Sequence, residues 1–434
     1  MVKKSSPKPG KHQSPDLDKI NRILTLAKNT SPYYQQRIPT DYIDRIEDIQ
    51  FIPVLTSDDL RKCSDQFPSP LLTRIPCSNY VFASGGTTGQ PKIIYRSHEE
   101  NDFNTTLLAK GLKIGGLSDE DIVANLLSAG NLYAGMLQFN QALEKIGCMI
   151  LPIGDNVTHE ILLKYARFFK VSAILAIPTQ IISFAHYLED KKISNVKIPR
   201  VITGGEQLYS SARQYLKKVL KVTIFQSTGY TSVDTGAIGY QSALCNGMTY
   251  HLHSDAQYLE ILDQKTNLPV APGEYGNIVV TSLTRTLMPL VRYAIGDAGR
   301  LLKKQCLCGS KDQLFELAGR GDERIRVGFV FITPELICSH ITKIEGLSLH
   351  FQINVSLENY MDKITIIVES LQEKNNEPLL KNKLLKSLNT IKYLTEEAES
   401  KRIHPIEVII LKPNTIVRNP QTGKIRSIID SRGQ

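Results

Sequence analysis

From Phe82 to Lys92 the chain reads FASGGTTGQPK, which is the most informative stretch of the sequence. Its glycines allow backbone amides to approach an anion closely, and its hydroxyls supply further donors. A P-loop would need Gly-Lys-Ser/Thr entering a helix, whereas here Pro91 precedes the lysine and the β-type run IIY follows it. The alternatives are a plain glycine-rich hairpin turn and a strand-loop-strand that binds polyphosphate. The many small and hydroxyl residues favour the polyphosphate loop.

The composition is that of an ordinary globular protein. Of 434 residues, 41% are hydrophobic and 22% are charged, with 7 cysteines, which excludes a mostly disordered, collagenous or disulfide-dense chain. The length predicts about two or three domains. No apolar run approaches the ~18 residues needed to span a bilayer, and the N-terminal tail lacks the apolar core of a secretory signal. We expect a cytoplasmic protein with no membrane partner.

The charge balance limits the classes of partner. Lys and Arg number 52 against 43 Asp and Glu, which gives a formal net charge of +9. This mildly basic chain suits anionic ligands such as nucleotides. No arginine-rich or aromatic-interleaved strip marks a nucleic-acid groove, so no nucleic-acid partner is expected.

The hydrophobic pattern predicts an α/β fold. Helical periodicity marks Leu17 to Lys28. From about Tyr80 to Leu302, β-rich runs alternate with helical stretches such as Tyr209 to Leu220, which predicts an α/β layered domain with a mostly parallel sheet. The runs that read as buried strands are Val171 to Ile177, Arg200 to Thr203 and Val222 to Phe225.

The pattern of predicted helices and strands changes at the segment GRGD, Gly319 to Asp322. Beyond it lie a Lys- and Leu-rich helix and the β-rich runs Ile325 to Ile332, Leu347 to Val355, Lys363 to Glu369 and Ile406 to Leu411. About 110 residues suffice for one small α+β domain. We therefore predict a disordered basic tail over 1–15, an N-terminal domain over 16–321 and a C-terminal domain over 322–434.

Two further segments carry groups suited to a nucleotide. Gly204-Gly205-Glu206 follows a predicted strand, where side chains face the ligand crevice of an α/β sheet. Asp297 closes the run RYAIGD, and a carboxylate can accept hydrogen bonds from both ribose hydroxyls. The alternatives are a simple strand-to-helix turn for the first segment and a capping or turn aspartate for the second.

Three thiols and an imidazole have the ligand count of a structural zinc site. They are Cys245, His251, Cys306 and Cys308. The alternative is a set of buried free cysteines with a surface histidine. His253 is the second candidate imidazole.

The loop SGGTTGQPK resembles the phosphate-binding motif of adenylate-forming enzymes, the acyl-CoA synthetases and peptide-synthetase adenylation domains. The short length and the companion motifs resemble the phenylacetate-CoA ligase branch, from about residue 50 to the C-terminus. This resemblance implies a large N-terminal domain with layered mixed sheets and a small mobile α+β C-terminal domain. It also implies nucleotide contacts from the loop residues Ser84, Gly85, Gly86, Thr87, Thr88, Gly89 and Lys92.

The segment GYTSVDTG, Gly229 to Gly236, resembles the family's Tyr-Gly-x-Thr-Glu motif. Aligning Tyr230 with its tyrosine and Asp234 with its glutamate implies that the ring stacks on adenine and that the carboxylate helps to hold Mg²⁺. A second register, with Thr228 at the tyrosine, instead places Ser232 at the glutamate. Both registers remain open at this point.

The resemblance assigns roles to the remaining motifs. Gly205 and Glu206 would lie along adenine and Asp297 would anchor the ribose. Arg320 would reach ribose or phosphate, and Asp322 would be the hinge between the domains. Lys424, in the segment TGKIR, would bridge the carboxylate and ATP and stabilise charge in the transition state. Some members of the phenylacetate-CoA ligase branch have a similar constellation of cysteines and a histidine. The resemblance favours His251 over His253, because His251 precedes Leu-x-Ser-Asp as in those enzymes.

The segment SAGNLYAGM, Ser128 to Met136, matches by position the family segment that lines the acyl pocket. Leu132, Tyr133 and Gly135 then suggest an apolar or aromatic wall. An aromatic or arylacetic acid is the expected substrate class.

The implied reaction has two halves, in which the acid and ATP form an acyl-AMP and coenzyme A then takes the acyl group. In the family the small domain rotates between the halves, presenting Lys424 for the first and a loop such as Arg324 to Phe329 for the second. ATP, Mg²⁺, coenzyme A and a structural Zn²⁺ are the implied cofactors, and a homodimer is compatible with the resemblance. The alternatives are transfer to an acyl- or peptidyl-carrier protein or to an amine, and a nucleotide-binding subunit without turnover.

Overall fold

The computed structural model describes residues 17–84, 91–245, 247–319, 325–373, 376–419 and 422–432. The chain forms two compact units, each assembled from separate segments. The first unit comprises Met1–Asp119, Gly130–Gly147 and Ser227–Arg320, and the second comprises Glu120–Ala129, Cys148–Gln226 and Gly321–Gln434. The domain boundaries drawn from the sequence at 16–321 and 322–434 stay a prediction.

The first unit begins with helices that cover its core. They are α1 (Leu17–Thr30), α2 (Pro32–Arg37), a 3₁₀ helix (Ile46–Phe51) and α3 (Ser57–Ser64), and they are followed by the hairpin strands β1 (Asn79–Ala83) and β2 (Ile93–Ser97). Helix α1 is the predicted amphipathic helix, and its buried face packs with α2 and the hairpin in one hydrophobic cluster. Helices α4 (His98–Ile114) and α5 (Gly135–Ile146) complete the helices of this unit.

Helix α4 begins where strand β2 ends because Ser97 and Glu100 form a capping box. The Ser97 side chain accepts from the Glu100 backbone amide, and the Glu100 carboxylate accepts from the Ser97 amide at 2.9 Å. Such reciprocal caps satisfy two of the orphan donors at a helix start. The cap therefore fixes the direction in which the chain leaves the hairpin.

The second unit contains the predicted parallel sheet. Its strands are β3 (Ile122–Asn125), β4 (Met149–Pro152), β5 (Ala173–Ala176), β6 (Arg200–Thr203) and β7 (Ile224–Ser227), in the order β4-β3-β5-β6-β7. Helices α6 (His159–Phe168), α7 (Pro178–Asp190) and α8 (Ser210–Leu220) alternate with them. Strand β6 has the predicted bounds, whereas β7 begins two residues later than predicted.

The strands that follow β7 form a different kind of sheet, which belongs to the first unit. They are β8 (Tyr230–Ser232), β9 (Gly236–Tyr240), β10 (Thr249–Leu252), β11 (Gln257–Leu262), β12 (Gly276–Ser282), β13 (Tyr293–Leu301) and β14 (Leu314–Gly319). Their order is β11-β12-β13-β14-β10-β9-β8, and neighbours pair antiparallel. The prediction that strands alternate with helices in a mostly parallel sheet as far as Leu302 is therefore wrong after Ser227, where no helix separates the described strands. Consecutive antiparallel strands can be joined by loops and need no crossover helix.

The C-terminal part of the second unit is α+β. Its elements are β15 (Ile325–Val327), β16 (Val330–Ile332), α9 (Pro334–Ile341), β17 (Leu347–Glu358), β18 (Met361–Ser370), α10 (Glu377–Leu388), α11 (Lys392–Glu399), β19 (Glu407–Leu411) and β20 (Ile428–Asp430). Strands β15 and β16 form a hairpin, and the larger sheet has the order β19-β18-β17-β20. This agrees with the small α+β region expected from the sequence.

A single hydrophobic cluster runs through the second unit. It joins side chains of the parallel sheet and its helices with those of β17, β18 and α10. Within the described ranges, no helix combines the length and the apolar character that crossing a bilayer requires.

Candidate active site

Two hydrogen bonds join Ser84 and Lys92, which lie at the two ends of the glycine-threonine loop. The backbone N–H of Ser84 donates to the carbonyl of Lys92 at 3.0 Å, and the N–H of Lys92 donates to Oγ of Ser84 at 3.3 Å. Strands β1 and β2 are antiparallel, so a strand lies on each side of the loop as predicted, and the binding of polyphosphate stays a prediction. The predicted ligands Gly85, Gly86, Thr87, Thr88 and Gly89 lie outside the described residues.

The side chain of Lys92 is bound to Asp234 and Tyr293. Its ammonium forms an ion pair with Oδ2 of Asp234 and donates to the Tyr293 phenol at 3.0 Å, and that phenol donates to the same carboxylate oxygen at 2.7 Å. Only 13% of the Lys92 side chain and 5% of the Asp234 side chain are exposed. Burial, together with the Asp234 carboxylate, raises the pKa of Tyr293, which keeps the phenolic proton in place as the donor.

Two buried arginines hold the backbone on either side of this carboxylate. Arg96 donates to the carbonyl of Val233 at 3.2 Å, and Arg285 donates to the carbonyl of Asp234. Arg285 also donates to the carbonyl of Tyr95 at 2.9 Å. The segment that carries Asp234 is therefore fixed to strand β2 and to the segment after β12.

Ser232, the residue that the second register would place at the family's glutamate, makes local contacts. Its Oγ accepts from the Thr235 N–H at 3.1 Å and lies 2.8 Å from the Thr235 hydroxyl. Asp234, by contrast, reaches a lysine 142 residues away. The geometry supports the register with Asp234 at the acidic position, and the role of Asp234 stays a prediction.

Tyr230 and Asp297, predicted to hold adenine and ribose, lie side by side. The Tyr230 phenol donates to Oδ2 of Asp297 at 2.8 Å. Gly229 precedes the tyrosine with φ of +92°, and a Cβ there would lie 2.6 Å from the carbonyl oxygen of Gly239. Only glycine fits this approach of strand β8 to strand β9. The structure thus brings these two predicted ligands into direct contact.

Arg292, in the same motif as Asp297, has a structural role. Its guanidinium is bidentate to Glu260 at 3.0 and 2.9 Å and donates to the carbonyls of Gln50 and Ile52 at 3.0 and 2.6 Å. Both members of this ion pair are buried. The motif RYAIGD contains both Arg292 and Tyr293, but sequence spacing gives no sign of the distant residues to which they bind.

The predicted acyl-pocket segment is tied to the end of strand β1. The N–H of Ala83 donates to the carbonyl of Leu132 at 2.9 Å. The Tyr133 ring lies against Gly135, where a Cβ would come within 2.7 Å of a ring carbon. Burial raises the pKa of Tyr133, whereas the Leu132 side chain is about half exposed at 52%. The aromatic side chain of this segment is therefore held in place.

In the second unit, the Gly-Lys motif lies against the turn after strand β6. A Cβ added at Gly205, whose φ is +78°, would lie 2.5 Å from Nζ of Lys424. Glu206 accepts from the Thr179 N–H at 2.9 Å through one oxygen and from the Ile425 N–H at 2.9 Å through the other. The carboxylate of Glu206 therefore anchors the lysine-bearing loop to the start of helix α7. Its predicted place along adenine stays a prediction.

The loop around Lys424 is further shaped by local hydrogen bonds. The N–H of Gly423 donates to the carbonyl of Asn419 at 2.8 Å, and the N–H of Asn419 donates to the carbonyl of Lys424 at 2.8 Å. Tyr209, beside helix α8, donates to Oγ of Ser427 at 3.1 Å. The predicted hinge residue Asp322 and the predicted nucleotide ligand Arg320 lie outside the described residues.

The predicted zinc ligands come together in the first unit. One donor atom each from Cys245, His251 and Cys306 lies within 4.8 Å of the others, and Sγ of Cys308 is 3.3 Å from Nε2 of His251. Burial raises the pKa of Cys245. Burial also opposes ionisation of Cys306, but hydrogen bonds from the Cys308 backbone and from Ser242 outweigh it and lower the pKa. A lowered thiol pKa favours the thiolate that a metal requires.

Known protein families match both the N-terminal and the C-terminal parts of the chain. A sequence model of the AMP-binding enzyme family matches residues 77–288, and one of the AMP-binding enzyme C-terminal domain matches residues 330–432. Phenylacetate-coenzyme A ligase of Escherichia coli (strain K12) is 24% identical over 82% of each chain. Phenylacetate-coenzyme A ligase of Thermus thermophilus is 22% identical over 96% of this chain and 95% of its own.

Solved structures share the fold. A 2-hydroxyisobutyryl-CoA ligase in the postadenylation state, in complex with R3-HIB-AMP, superposes with a TM-score of 0.78 at 18% identity, over 97% of this chain and 91% of that one. The acyl acid amido synthetase AtGH3.15 superposes with a TM-score of 0.65 at 15% identity, over 92% and 86% of the two chains. The two family models together match most of the chain, which therefore belongs to the AMP-binding enzyme family, and the curated relatives that it resembles are phenylacetate-coenzyme A ligases.

Proposed function

We propose that this protein joins a carboxylic acid to coenzyme A at the expense of ATP. In the first half-reaction a carboxylate oxygen bonds to the α-phosphorus of ATP, and the bond from that phosphorus to the bridging oxygen breaks to release pyrophosphate. In the second, the thiol sulfur bonds to the acyl carbon and AMP leaves with the former carboxylate oxygen. The observation that carries this proposal is the placement of Lys424 against Gly205, which joins two motifs far apart in sequence.

In this proposal the first unit binds ATP through residues already in contact with one another. Ser84 and Lys92 hold the two ends of the loop together through the hydrogen bonds between them. Asp297 accepts hydrogen bonds from the ribose hydroxyls, while its bond from Tyr230 orients the carboxylate and the ring. These groups are preorganised by the protein, so little reorganisation is needed when the nucleotide arrives.

Lys424 acts in the first half-reaction. The attacking carboxylate and ATP are both anionic, and an ammonium fixed on a short glycine-containing loop offsets their repulsion. Glu206 positions this loop through the N–H of Ile425. We expect Lys424→Ala to lose acyl-AMP formation and to retain acyl transfer from preformed acyl-AMP to coenzyme A.

Asp234 fits the role of a magnesium ligand. One of its oxygens is held by Lys92 and Tyr293, and the other, Oδ1, is buried and has no hydrogen-bond partner among the described residues. Mg²⁺ usually takes one or two carboxylates and completes its shell with phosphate oxygens and water. When bound, the ion would neutralise charge on the phosphates. The task of Lys92 and Tyr293 is to hold the carboxylate in one orientation.

The proposed substrate class is an aromatic or arylacetic acid. The curated relatives are named phenylacetate-coenzyme A ligases, and Tyr133 is an aromatic side chain held against Gly135 in the pocket segment. The test is a panel of phenylacetate, benzoate, 2-hydroxyisobutyrate and acetate, with acyl-CoA and AMP measured by mass spectrometry. We expect phenylacetate or benzoate to give the highest kcat/KM. A preference for the two aliphatic acids would overturn the substrate class.

The acceptor is tested in the same assay. We expect AMP release to depend on coenzyme A and to be accompanied by an equal amount of acyl-CoA. Release that requires a carrier protein or an amine instead, with no acyl-CoA formed, would overturn the acceptor while leaving acyl-AMP formation intact.

The thiol cluster is proposed as a structural zinc site. Soft thiolates with one imidazole suit Zn²⁺, and four protein ligands leave no open position for catalysis. Cys306→Ser should therefore lower both the zinc content and the melting temperature, with a smaller effect on the KM for ATP. Elemental analysis of the purified protein that gives well under one equivalent of zinc would contradict the proposal.

A further inference from the structure

A small polar cavity lies in the first unit beside helix α4. Its volume is about 10 Å³, which is room for a single small ligand. Its lining includes Arg96, Asn104, Ser282 and Arg285. This cavity is distinct from the residues assigned above to ATP and to the acyl group.

The cavity is surrounded by hydrogen-bond donors that the protein itself leaves unused. Nη1 of Arg96, Nε of Arg285, Nδ2 of Asn104 and Oγ of Ser282 are buried and have no partner among the described residues. The four residues are between 1% and 7% exposed. Gln257 contributes one unused acceptor, Oε1. A buried donor without a partner costs free energy of folding. These donors therefore indicate a bound ligand that accepts hydrogen bonds.

The orientation of Asn104 is fixed. Its Oδ1 accepts from the backbone N–H of Ala237 at 2.8 Å, so its amide nitrogen is the atom left for the cavity. A Cβ at Gly236 would overlap Oδ1 of Asn104 and lie 3.3 Å from Nη2 of Arg96. The amide and the guanidinium therefore meet at the same point of strand β9.

The buried charges around the cavity do not cancel. Two guanidiniums, Arg96 and Arg285, line the cavity with one carboxylate, Glu100, which leaves one positive charge among the lining residues. Glu100 accepts from the backbone N–H groups of the chain, at 2.9, 2.6 and 2.8 Å, and Asp234 is paired with Lys92. Burial, reinforced by the neighbouring Arg285, lowers the pKa of Arg96 to about 9, so this guanidinium remains charged at neutral pH.

We propose that this cavity binds a single monatomic anion of the halide class, such as chloride. A neutral water would satisfy donors but leave the excess positive charge buried, and isolated buried charges are strongly disfavoured. An anion in this position neutralises the two guanidiniums that hold the carbonyls of Val233 and Asp234. Halide binding thereby stabilises the segment that carries Asp234.

The first test is thermal unfolding of the full chain in sodium bromide, sodium chloride and sodium gluconate at one ionic strength. A ligand that binds only the folded state raises the melting temperature with the logarithm of its concentration. We expect the melting temperature of the wild-type protein to rise by a few degrees as halide replaces gluconate. Equal melting temperatures in all three salts would overturn the proposal.

Asn104→Asp is the matched variant. The substitution keeps the oxygen that accepts from Ala237 and replaces the unused amide nitrogen by a carboxylate oxygen, which supplies the missing negative charge. We expect its melting temperature to be independent of halide, whereas Ser282→Ala, which removes one donor and no charge, keeps a weaker dependence. Undiminished halide dependence in Asn104→Asp would contradict the proposal.

Crystallography of the wild-type protein decides the matter without a variant. With bromide in the crystallisation medium, we expect an anomalous scattering peak within hydrogen-bond distance of Nη1 of Arg96 and Oγ of Ser282. A water molecule without anomalous signal at that position, or no density, would overturn the proposal.

Discussion

The Tyr230 phenol donates a hydrogen bond of 2.8 Å to the Asp297 carboxylate, across 67 residues of sequence. In the proposed site this bond orients the carboxylate that receives the ribose hydroxyls. Strand β8 carries the donor and strand β13 carries the acceptor, and the two strands are separated in the antiparallel sheet by β9, β10 and β14. The contact therefore depends on the assembled sheet.

Tyr230→Phe should raise the KM for ATP roughly tenfold, because the Asp297 carboxylate is no longer held in place for the ribose hydroxyls. It should also lower the stability, since a hydrogen bond to a charged group contributes about 1.5–3 kcal/mol. Steady-state kinetics with ATP as the varied substrate measure the effect. Tyr275→Phe, at a half-exposed tyrosine, is the control. An unchanged KM in Tyr230→Phe would show that this bond does not support nucleotide binding.

Asp234→Asn should destabilise the first unit strongly. It leaves the ammonium of Lys92 buried without its carboxylate, and breaking a buried ion pair costs about 3–5 kcal/mol. Urea unfolding measures the loss. The control is Asp102→Asn, which breaks an ion pair with Lys145 whose side chains are 69% and 29% exposed, and which should cost less than about 1 kcal/mol. Equal losses in the two variants would contradict the role of Asp234 as the partner of Lys92.

Gly205→Ala should abolish most adenylation because the new methyl group overlaps the ammonium of Lys424. We expect a loss of about 100-fold or more, as small displacements of catalytic groups produce. Gly154→Ala is a matched control in the same unit, since Gly154 also has positive φ, +80°, but a Cβ there meets nothing within 4 Å. Both substitutions place an alanine at a positive φ, so both variants carry the same kind of backbone strain. Similar activities would show that the position of Lys424 is unimportant.

The second unit should become less stable as the pH falls, because His186 binds a proton more readily in the unfolded chain than in the folded one. Burial, with smaller effects of His350 and His159, lowers the pKa of His186 to about 3, whereas an unfolded histidine has a pKa of about 6.5. The unfolded chain then binds the extra proton, so stability is lost as the pH falls from about 6.5 toward about 3, by up to ~1.4 kcal/mol per unit.

His186→Phe keeps an aromatic ring beside Tyr215 and His350 and removes the titration. Relative to its own value at pH 7.5, the wild type should lose about 1.4 kcal/mol more than the variant at pH 5.5. Urea midpoints at the two pH values provide the measurement. Parallel losses in both proteins would mean that His186 does not govern the acid sensitivity.

The local parts of the fold were predictable from sequence. Strand β6, Arg200–Thr203, is a short apolar run bounded by proline and glycine, and its predicted bounds agree with the structure. The strands on either side of the glycine-threonine loop followed from Pro91 and the β-type run after it. These features depend on neighbours within a few residues, which is the range that sequence patterns report.

The long-range parts of the site could not be predicted in the same way. Nothing in the spacing indicates that Lys92 pairs with Asp234 or that Tyr293 joins them, because these contacts are made by side chains on separate strands. Glu206 illustrates a second difficulty. Its motif suggested a ligand-facing carboxylate, yet its hydrogen bonds go to Thr179 and Ile425, and only the folded chain shows that it anchors the lysine-bearing loop.

The central claim is that Lys424 enables formation of an acyl-AMP. The most direct measurement is acid-dependent exchange of labelled pyrophosphate into ATP, with Lys424→Ala compared to the wild type and to Lys412→Ala at an exposed lysine. We predict that the wild type and Lys412→Ala exchange at similar rates and that Lys424→Ala, folded by circular dichroism, loses exchange by several orders of magnitude. Exchange by Lys424→Ala at the wild-type rate would contradict the account.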